Sequence, residues 1–189
     1  SLIETFNVAG QEYIDLYAKG LKIEIKPDNS PVSNGDLRCN ELITNKILEL
    51  TPNIPIISEE TVDLKIENKN KIFWLIDPID GTKEYITGKD EYTLNAALII
   101  DKIPSLGLVG APKKKQLFYS YGLGESYVIE NNKKIKNDCS KKTPKNQVIA
   151  LSSSAHPSEE IMSILKKYSM TSVVKMSSSY KFCVIANGE

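Results

Sequence analysis

One histidine, one tryptophan and three cysteines are spread over 189 residues, with no excess of either charge. Each shortage closes off a class of function. Cys39, Cys139 and Cys183 are odd in number and lack the paired spacing of a zinc site or a redox motif, as expected of reduced thiols in a cytoplasmic protein. Basic and acidic residues balance at 24 each, so there is no positive field to hold a nucleic-acid polymer or an anionic membrane. The lysine runs at Lys113 to Lys115 and Lys133-Lys134 then read as solvated loops. No apolar stretch reaches transmembrane length, and the start of the chain lacks the pattern of a signal peptide. Ser1 falls inside a helical pattern and Asn187-Gly188-Glu189 finishes no element, so both ends are expected to be cut. What remains is an ordinary globular composition, 41% hydrophobic, sufficient for one large domain or two small ones.

The most informative stretch runs from Ile72 to Tyr85. Ile72 to Ile76 is a continuous apolar run of β-formers, which predicts a strand buried on both faces. It gives way to Asp77-Pro78-Ile79-Asp80-Gly81-Thr82. Pro78 removes a ladder donor and predicts that the backbone turns there. Asp77 and Asp80 on such a turn are placed to share a hard cation. Gly81 allows close approach of the main chain to a ligand, and N–H groups from Gly81 onward face an anion if a helix starts there. The plain alternative is a polar turn capping the next helix. A second acidic pair tips the balance toward a metal site, because Ile54-Pro55-Ile56-Ile57 is another short apolar run ending in Ser58-Glu59-Glu60.

Along the chain, Leu2 to Lys19 has helical spacing, with Leu2, Phe6, Ala9, Tyr13, Leu16 and Tyr17 on one side, and Gly20 ends it. Leu21 to Ile25 reads as an edge strand. A polar loop from Lys26 to Asp36 follows, with Ser33 or Asn34 as the cap of a helix that carries Leu37, Ile43, Ile47 and Leu50 inward. Taken alone, Asp36 is a surface residue complementing that helix's dipole. Lys83 to Ile86 form a short helix. Tyr92 to Ile100, Leu106 to Ala111, Gln116 to Tyr121 and Ser126 to Glu130 make an antiparallel meander, and Asn131-Asn132 marks a further hairpin. Polar composition from Asn137 to Asn146 suggests a boundary between an α+β domain, residues 1–140, and the start of an α/β domain, residues 141–189. The second begins with a strand at Val148 to Leu151, a helix at Pro157 to Tyr168, a strand at Thr171 to Lys175 and a helix from Tyr180.

The order of these motifs, with Ser177-Ser178-Ser179-Tyr180-Lys181-Phe182-Cys183 at the end, resembles the lithium-sensitive, magnesium-dependent phosphomonoesterase superfamily of inositol monophosphatase and fructose-1,6-bisphosphatase. Asp28-Asn29-Ser30-Pro31-Val32, Gly81-Thr82-Lys83-Glu84-Tyr85 and the Ser-Ser-x-Lys-Phe-Cys string look most like its bacterial 3'(2'),5'-bisphosphate nucleotidase branch, the CysQ type. The resemblance spans essentially all the chain and implies the sugar-phosphatase fold, of α/β class: an α+β domain with antiparallel sheet and paired helices, then a truncated α/β domain. It implies two or three Mg²⁺ ions, one held by Glu59, Asp77 and the Ile79 carbonyl and another by Asp77 and Asp80. Asp36 would accept a hydrogen bond from Thr82, which orients the attacking water, so here the surface reading of Asp36 gives way. Gly81 and Thr82 N–H groups would hold the phosphate. Ser178 and Lys181 would meet the substrate, Lys181 at its second phosphate.

The implied substrate is a small phosphate ester, adenosine 3',5'-bisphosphate, converted to AMP and phosphate in the cytoplasm; a homodimer and a peripheral inner-membrane position are also compatible with the resemblance. Inositol or sugar monophosphates are the alternative substrates, and an inactive metal- or nucleotide-binding fragment the alternative function. A covalent Asp77 phosphoenzyme would need an Asp-x-Asp spacing that is absent. Several departures stand out. Ser152 to His156 resembles a Ser-Arg-Ser-His loop but lacks the arginine and shifts the histidine, leaving His156 a surface loop residue. Tyr180 and Phe182 read as core. Gly35 replaces a common alanine and is expected only to loosen the helix start. The superfamily's Trp-Asp-x-Ala-Ala-Gly and Tyr-Pro-Arg-Phe strings do not occur before Glu189, so weak activity or none is expected of this piece alone.

Overall fold

The computed structural model describes residues 1–26, 29–62, 69–141, 149–153, 158–170 and 172–188. Helix α1, Leu2–Lys19, opens with a reciprocal capping box between Ser1 and Glu4, which satisfies donors that a helix start otherwise leaves unpaired. Its Phe6, Ala9 and Tyr13 are buried, whereas Tyr17 is partly exposed at the edge of the stripe. Strand β1, Ile23–Ile25, pairs antiparallel with β2, Pro31–Ser33. Helix α2, Asn34–Leu50, follows at once, with Ser33 as its cap. Its inward face is built from Cys39, Ile43 and Ile47. Leu37 and Leu50 point to solvent, contrary to the sequence reading, because α1 covers only one stripe of α2 and both leucines fall outside it.

A seven-stranded sheet carries the core. Its strands, in the order in which they are hydrogen-bonded, are β3, Ile56–Ser58; β4, Ile72–Asp80; β5, Thr93–Ile100; β6, Ile103–Ala111; β7, Gln116–Tyr121; β8, Ser126–Glu130; and β9, Lys133–Lys136. All neighbours run antiparallel except β3 and β4, which are parallel. The β8–β9 hairpin turns at Asn131 and Asn132, both left-handed, as asparagine tolerates. Between β4 and β5 lies α3, Thr82–Ile86.

Helices α1 and α2 pack on one face of this sheet, burying Phe6, Tyr13, Ile43, Ile47, Trp74, Ile76, Leu94 and Leu108 in one cluster. Two expectations for β4 are corrected. The strand is buried mainly on that one face: Trp74 and Ile76 are inside, while Leu75 between them is 48% exposed. Alternation is what a sheet with helices on one side dictates. Nor does Pro78 end the strand. Pairing with β5 resumes at Asp80 opposite Thr93 after a register shift from Asp77, so the proline sits in a bulge, where its missing N–H breaks no ladder bond.

Beyond residue 148, β10, Ile149–Ser152, and β11, Ser172–Lys175, form a separate parallel pair joined through α4, Glu159–Lys167. Helix α5, Tyr180–Ala186, then returns to the large sheet. Adjacent residues on a strand face opposite ways, so Phe118 lies across the sheet from Leu117. Phe118 joins Val128, Cys183 and Tyr180 in a second cluster under α5. Tyr180 is thus packed as expected, its ring 6.3 Å from Phe118. Phe182 is not core: it is 64% exposed, one step round the helix from the face that meets the sheet. The second half of the polar segment read as a domain boundary, residues 142–146, lies outside the described residues, as do Asp28 and His156.

Candidate active site

The register of β3 and β4 brings two carboxylates together before any side-chain chemistry is considered. Ser58 pairs with Ile76 in parallel, so the next residue on each strand, Glu59 and Asp77, emerges at the same end of the sheet. The Glu59 N–H donates to the Ile76 carbonyl at 3.0 Å, which extends the pairing to the site itself. The bulge then displaces Asp80, and Gly81 turns the chain at φ 100°. A Cβ at Gly81 would stand 2.9 Å from the Glu91 carbonyl oxygen, so only glycine closes this turn.

Among the carboxyls of the site Asp77 is the most strongly perturbed. Burial pushes its carboxyl up to about 8, aided by the negative charges of Glu59 and Asp80 and by a hydrogen bond shared with the Glu59 carboxylate. Its Oδ1 is buried with no hydrogen-bond partner. Asp80 is raised as well, chiefly by burial, against the pull of the Ser179 N–H, which donates to its Oδ2 at 2.5 Å, and of the Lys181 ammonium. Among the described residues no three acidic, histidine or cysteine side chains are gathered at ligating distance around one point. Glu59 also faces Lys26, whose Nζ is 3.8 Å from its Oε1. An orphaned buried carboxylate oxygen, a carboxyl held protonated near neutrality and an all-oxygen donor set fit a hard divalent cation.

Across from this group, Asp36 is 1% exposed in the first turn of α2. One of its oxygens, Oδ2, accepts from the Ser33 N–H at 2.9 Å and from the Ser33 hydroxyl, closing the helix capping box. The other, Oδ1, accepts from the Thr82 hydroxyl at 2.8 Å. Thr82 Oγ1 also stands 3.3 Å from the Ile79 carbonyl oxygen. Asp36 is therefore no surface residue, and two helix starts 46 positions apart meet through one hydrogen bond.

The last described segment completes the site from the other side. Ser177 N–H donates to Glu91 Oε2 at 2.9 Å, and its hydroxyl to Glu84 Oε1 at 3.2 Å. Ser178, 8% exposed, adopts a left-handed φ of 56°, and Lys181 Nζ donates to its carbonyl at 2.6 Å. Lys181 thereby stands beside Asp80. Ser179 Oγ donates to Asn95 Oδ1 at 2.7 Å and lies 2.7 Å from Thr93 Oγ1.

Sequence reasoning missed this anchorage. Thr93 and Asn95 are the polar residues of the otherwise apolar β5, a signal available from residue type and period alone. It also assigned no part to Lys26, whose Nζ pairs with the nearly buried Glu60 at 2.9 Å. Burial works to lower the Lys26 ammonium's pKa, but the Glu60 contact prevails and raises it.

Comparison with known proteins gives a consistent result. A sequence profile described as "Inositol monophosphatase family" matches residues 2–189. The chain is 34% identical over 185 residues to the 3'(2'),5'-bisphosphate nucleotidase CysQ of Buchnera aphidicola, covering 95% of this chain and 68% of that one. It is 31% identical to the CysQ of Salmonella typhimurium, covering 96% and 73%. The solved structure of CysQ from Bacteroides thetaiotaomicron superposes with a TM-score of 0.76 at 26% identity, over 98% of this chain and 74% of that one.

Proposed function

The chain belongs to the inositol monophosphatase family, and from that premise we propose that it removes the 3'-phosphate of adenosine 3',5'-bisphosphate, yielding AMP and phosphate, with Mg²⁺ as cofactor. The observation that carries the reading is the Thr82 Oγ1 to Asp36 Oδ1 bond of 2.8 Å beside the Glu59, Asp77 and Asp80 carboxylates. Glu59, Asp77 and the Ile79 carbonyl would hold one Mg²⁺, and Asp77 and Asp80 a second, within a total of two or three. When bound, Mg²⁺ offsets the negative charge on the phosphate and makes water a stronger acid at the site. Lithium, a smaller charge in the same oxygen shell, would inhibit.

The chain's own residues do the positioning. Thr82 has one hydroxyl proton and gives it to Asp36, so its oxygen lone pairs face outward as acceptors. A water bound there is oriented with its own lone pair toward phosphorus. As that water attacks, its proton passes to Thr82 Oγ1 and the threonine proton to Asp36 Oδ1. Asp36 stays in register because Ser33 holds its other oxygen. The N–H groups of Gly81 and Thr82, at the start of α3, have no helical partner of their own and would bind phosphate oxygens. Lys181, its ammonium held by the Ser178 carbonyl, would meet the 5'-phosphate. The reaction takes place in the cytoplasm on a small diffusible ester; no described helix is long and apolar enough to cross a membrane. If the chain divides at residue 140, the phosphate-binding groups would belong to the first domain and Ser178 and Lys181 to the second.

Phosphate release from adenosine 3',5'-bisphosphate and from inositol 1-phosphate, each with and without Mg²⁺, tests the reading. The nucleotide is expected to be the better substrate by kcat/KM at least about tenfold, the scale of one well-placed charged contact. Preference for the inositol ester, or turnover indifferent to Mg²⁺, overturns it.

A further inference from the structure

The Asp36–Thr82 bond joins two helix starts that share no secondary structure, so something must fix the distance between them. The candidate is an aromatic residue on a third element. Tyr13 of α1 is 0% exposed, and the Cδ2–Cε2 edge of its ring lies against the first turn of α2 at Gly35. A Cβ built on Gly35 would stand 2.3 Å from Tyr13 Cε2 and 2.5 Å from Cδ2, distances no side chain tolerates. The glycine is thus not a loosened helix start, as the sequence suggested, but the space in which the ring sits. Its two chain neighbours are Asn34 and Asp36, so the ring sets the height of the capping box that holds Asp36.

A face of the same ring governs Thr82. Tyr13 stacks on Tyr85 with centroids 3.6 Å apart and planes at 20°, and Tyr85 is three residues beyond Thr82 on the single turn of α3. The Tyr85 hydroxyl donates to the Tyr13 carbonyl at 2.5 Å. Tyr92 closes the cluster edge-on, 5.2 Å from Tyr13 and 5.1 Å from Tyr85. Gly81 and Tyr92 are in turn pressed together, for a Cβ on Gly81 would come within 3.3 Å of Tyr92 Cα.

We propose that Tyr13 is a positioning residue for the site: its ring, wedged between Gly35 and Tyr85, sets the separation of Asp36 and Thr82, and Gly35 is glycine because the wedge occupies the place of a side chain. The functional half of this statement rests on the phosphatase reading above; the geometric half does not. A stacked ring resists compression steeply, whereas a missing one leaves a void that either helix can fill. A shift of about 0.8 Å would stretch this 2.8 Å contact to a length at which it is no longer a hydrogen bond.

Four variants test it: Gly35→Ala, Tyr13→Ile, the double Tyr13→Ile/Gly35→Ala, and Ile47→Val as a control for packing loss elsewhere in α2. The first readout is NMR of the metal-free protein, following the Thr82 methyl and amide and the Asp36 carboxyl carbon. Gly35→Ala is expected to move these signals, and the double variant to return them toward the wild-type positions. Tyr13→Ile alone should broaden them, and Ile47→Val should leave them in place. The second readout is turnover, where Gly35→Ala should lower kcat at least about tenfold with KM within about threefold, and the double variant should recover most of the loss. If Gly35→Ala does not fold but the double variant does, the steric pairing is supported directly. Unmoved Thr82 and Asp36 signals in folded Gly35→Ala, or a double variant no better than Gly35→Ala in fold or signals, overturn the proposal. Thr82→Val, run alongside, separates the two ideas: wild-type turnover in that variant would sink the catalytic reading, while the NMR signals would still decide the role of Tyr13.

Discussion

Replacing Asp77 with asparagine should stabilise the metal-free protein, although Asp77 is proposed to be essential for turnover. The carboxyl's pKa rises from 3.8 to about 8 on folding, through burial first and then the charges of Glu59 and Asp80. A group whose folded pKa lies above its unfolded value binds protons more tightly in the folded state. Its contribution to stability is therefore whole below about pH 4 and is lost as pH rises toward about 8. At pH 7 the loss spans roughly three pH units at about 1.4 kcal/mol each, or about 4 kcal/mol if the group were dry. Asp77 is only partly buried, and water screening reduces this to about 2 kcal/mol. Asparagine has almost the same shape and no charge to desolvate.

In EDTA, thermal unfolding of Asp77→Asn and wild type should coincide near pH 4 and diverge with rising pH. At pH 7 the variant should melt about 4–8 °C higher, the shift expected of about 2 kcal/mol in a chain of this size. Adding Mg²⁺ should reverse the order, raising the wild-type midpoint and leaving the variant nearly unmoved, because a ligand stabilises only the state that binds it. Parallel pH profiles in EDTA, or a variant that melts below wild type at pH 7, would refute the electrostatic account of this site.

Three further outcomes follow from the same geometry. Thr82→Val keeps the shape of the side chain but removes the donor to the buried Asp36, so kcat should fall about 100-fold or more and stability by about 1–3 kcal/mol; steady-state kinetics and calorimetry check both. Asp36→Ala should lose activity and also about 1–2 kcal/mol of stability, since the same carboxylate closes the α2 capping box; faster amide exchange at the start of α2 distinguishes it from Thr82→Val, which leaves the cap intact. Ser179→Ala removes a hydroxyl shared by Thr93 and Asn95 but keeps the N–H that holds Asp80, so stability should drop about 1–2 kcal/mol while the Mg²⁺ requirement, measured as the concentration at half-maximal activity, rises less than it does in Asp80→Asn.

Local order along the chain was legible in the sequence because it depends on neighbours alone. Periodicity placed α1 and the meander strands, turn chemistry placed the β8–β9 hairpin, and the Asp-Pro-Ile-Asp-Gly-Thr string marked where the carboxylates gather. Tertiary partners decided the rest. Whether Leu75 or Phe182 is covered depends on which faces the helices reach, and no residue carries that information about itself. That Pro78 bulges a strand instead of ending it depends on β5 resuming its pairing at Asp80. The reason Gly35 is glycine lies 22 positions away in sequence, in a tyrosine ring that folding lays against it. Hydrophobic pattern and capping chemistry are encoded one helical turn or strand period at a time; exclusion of one atom by another is a property of the assembled interior.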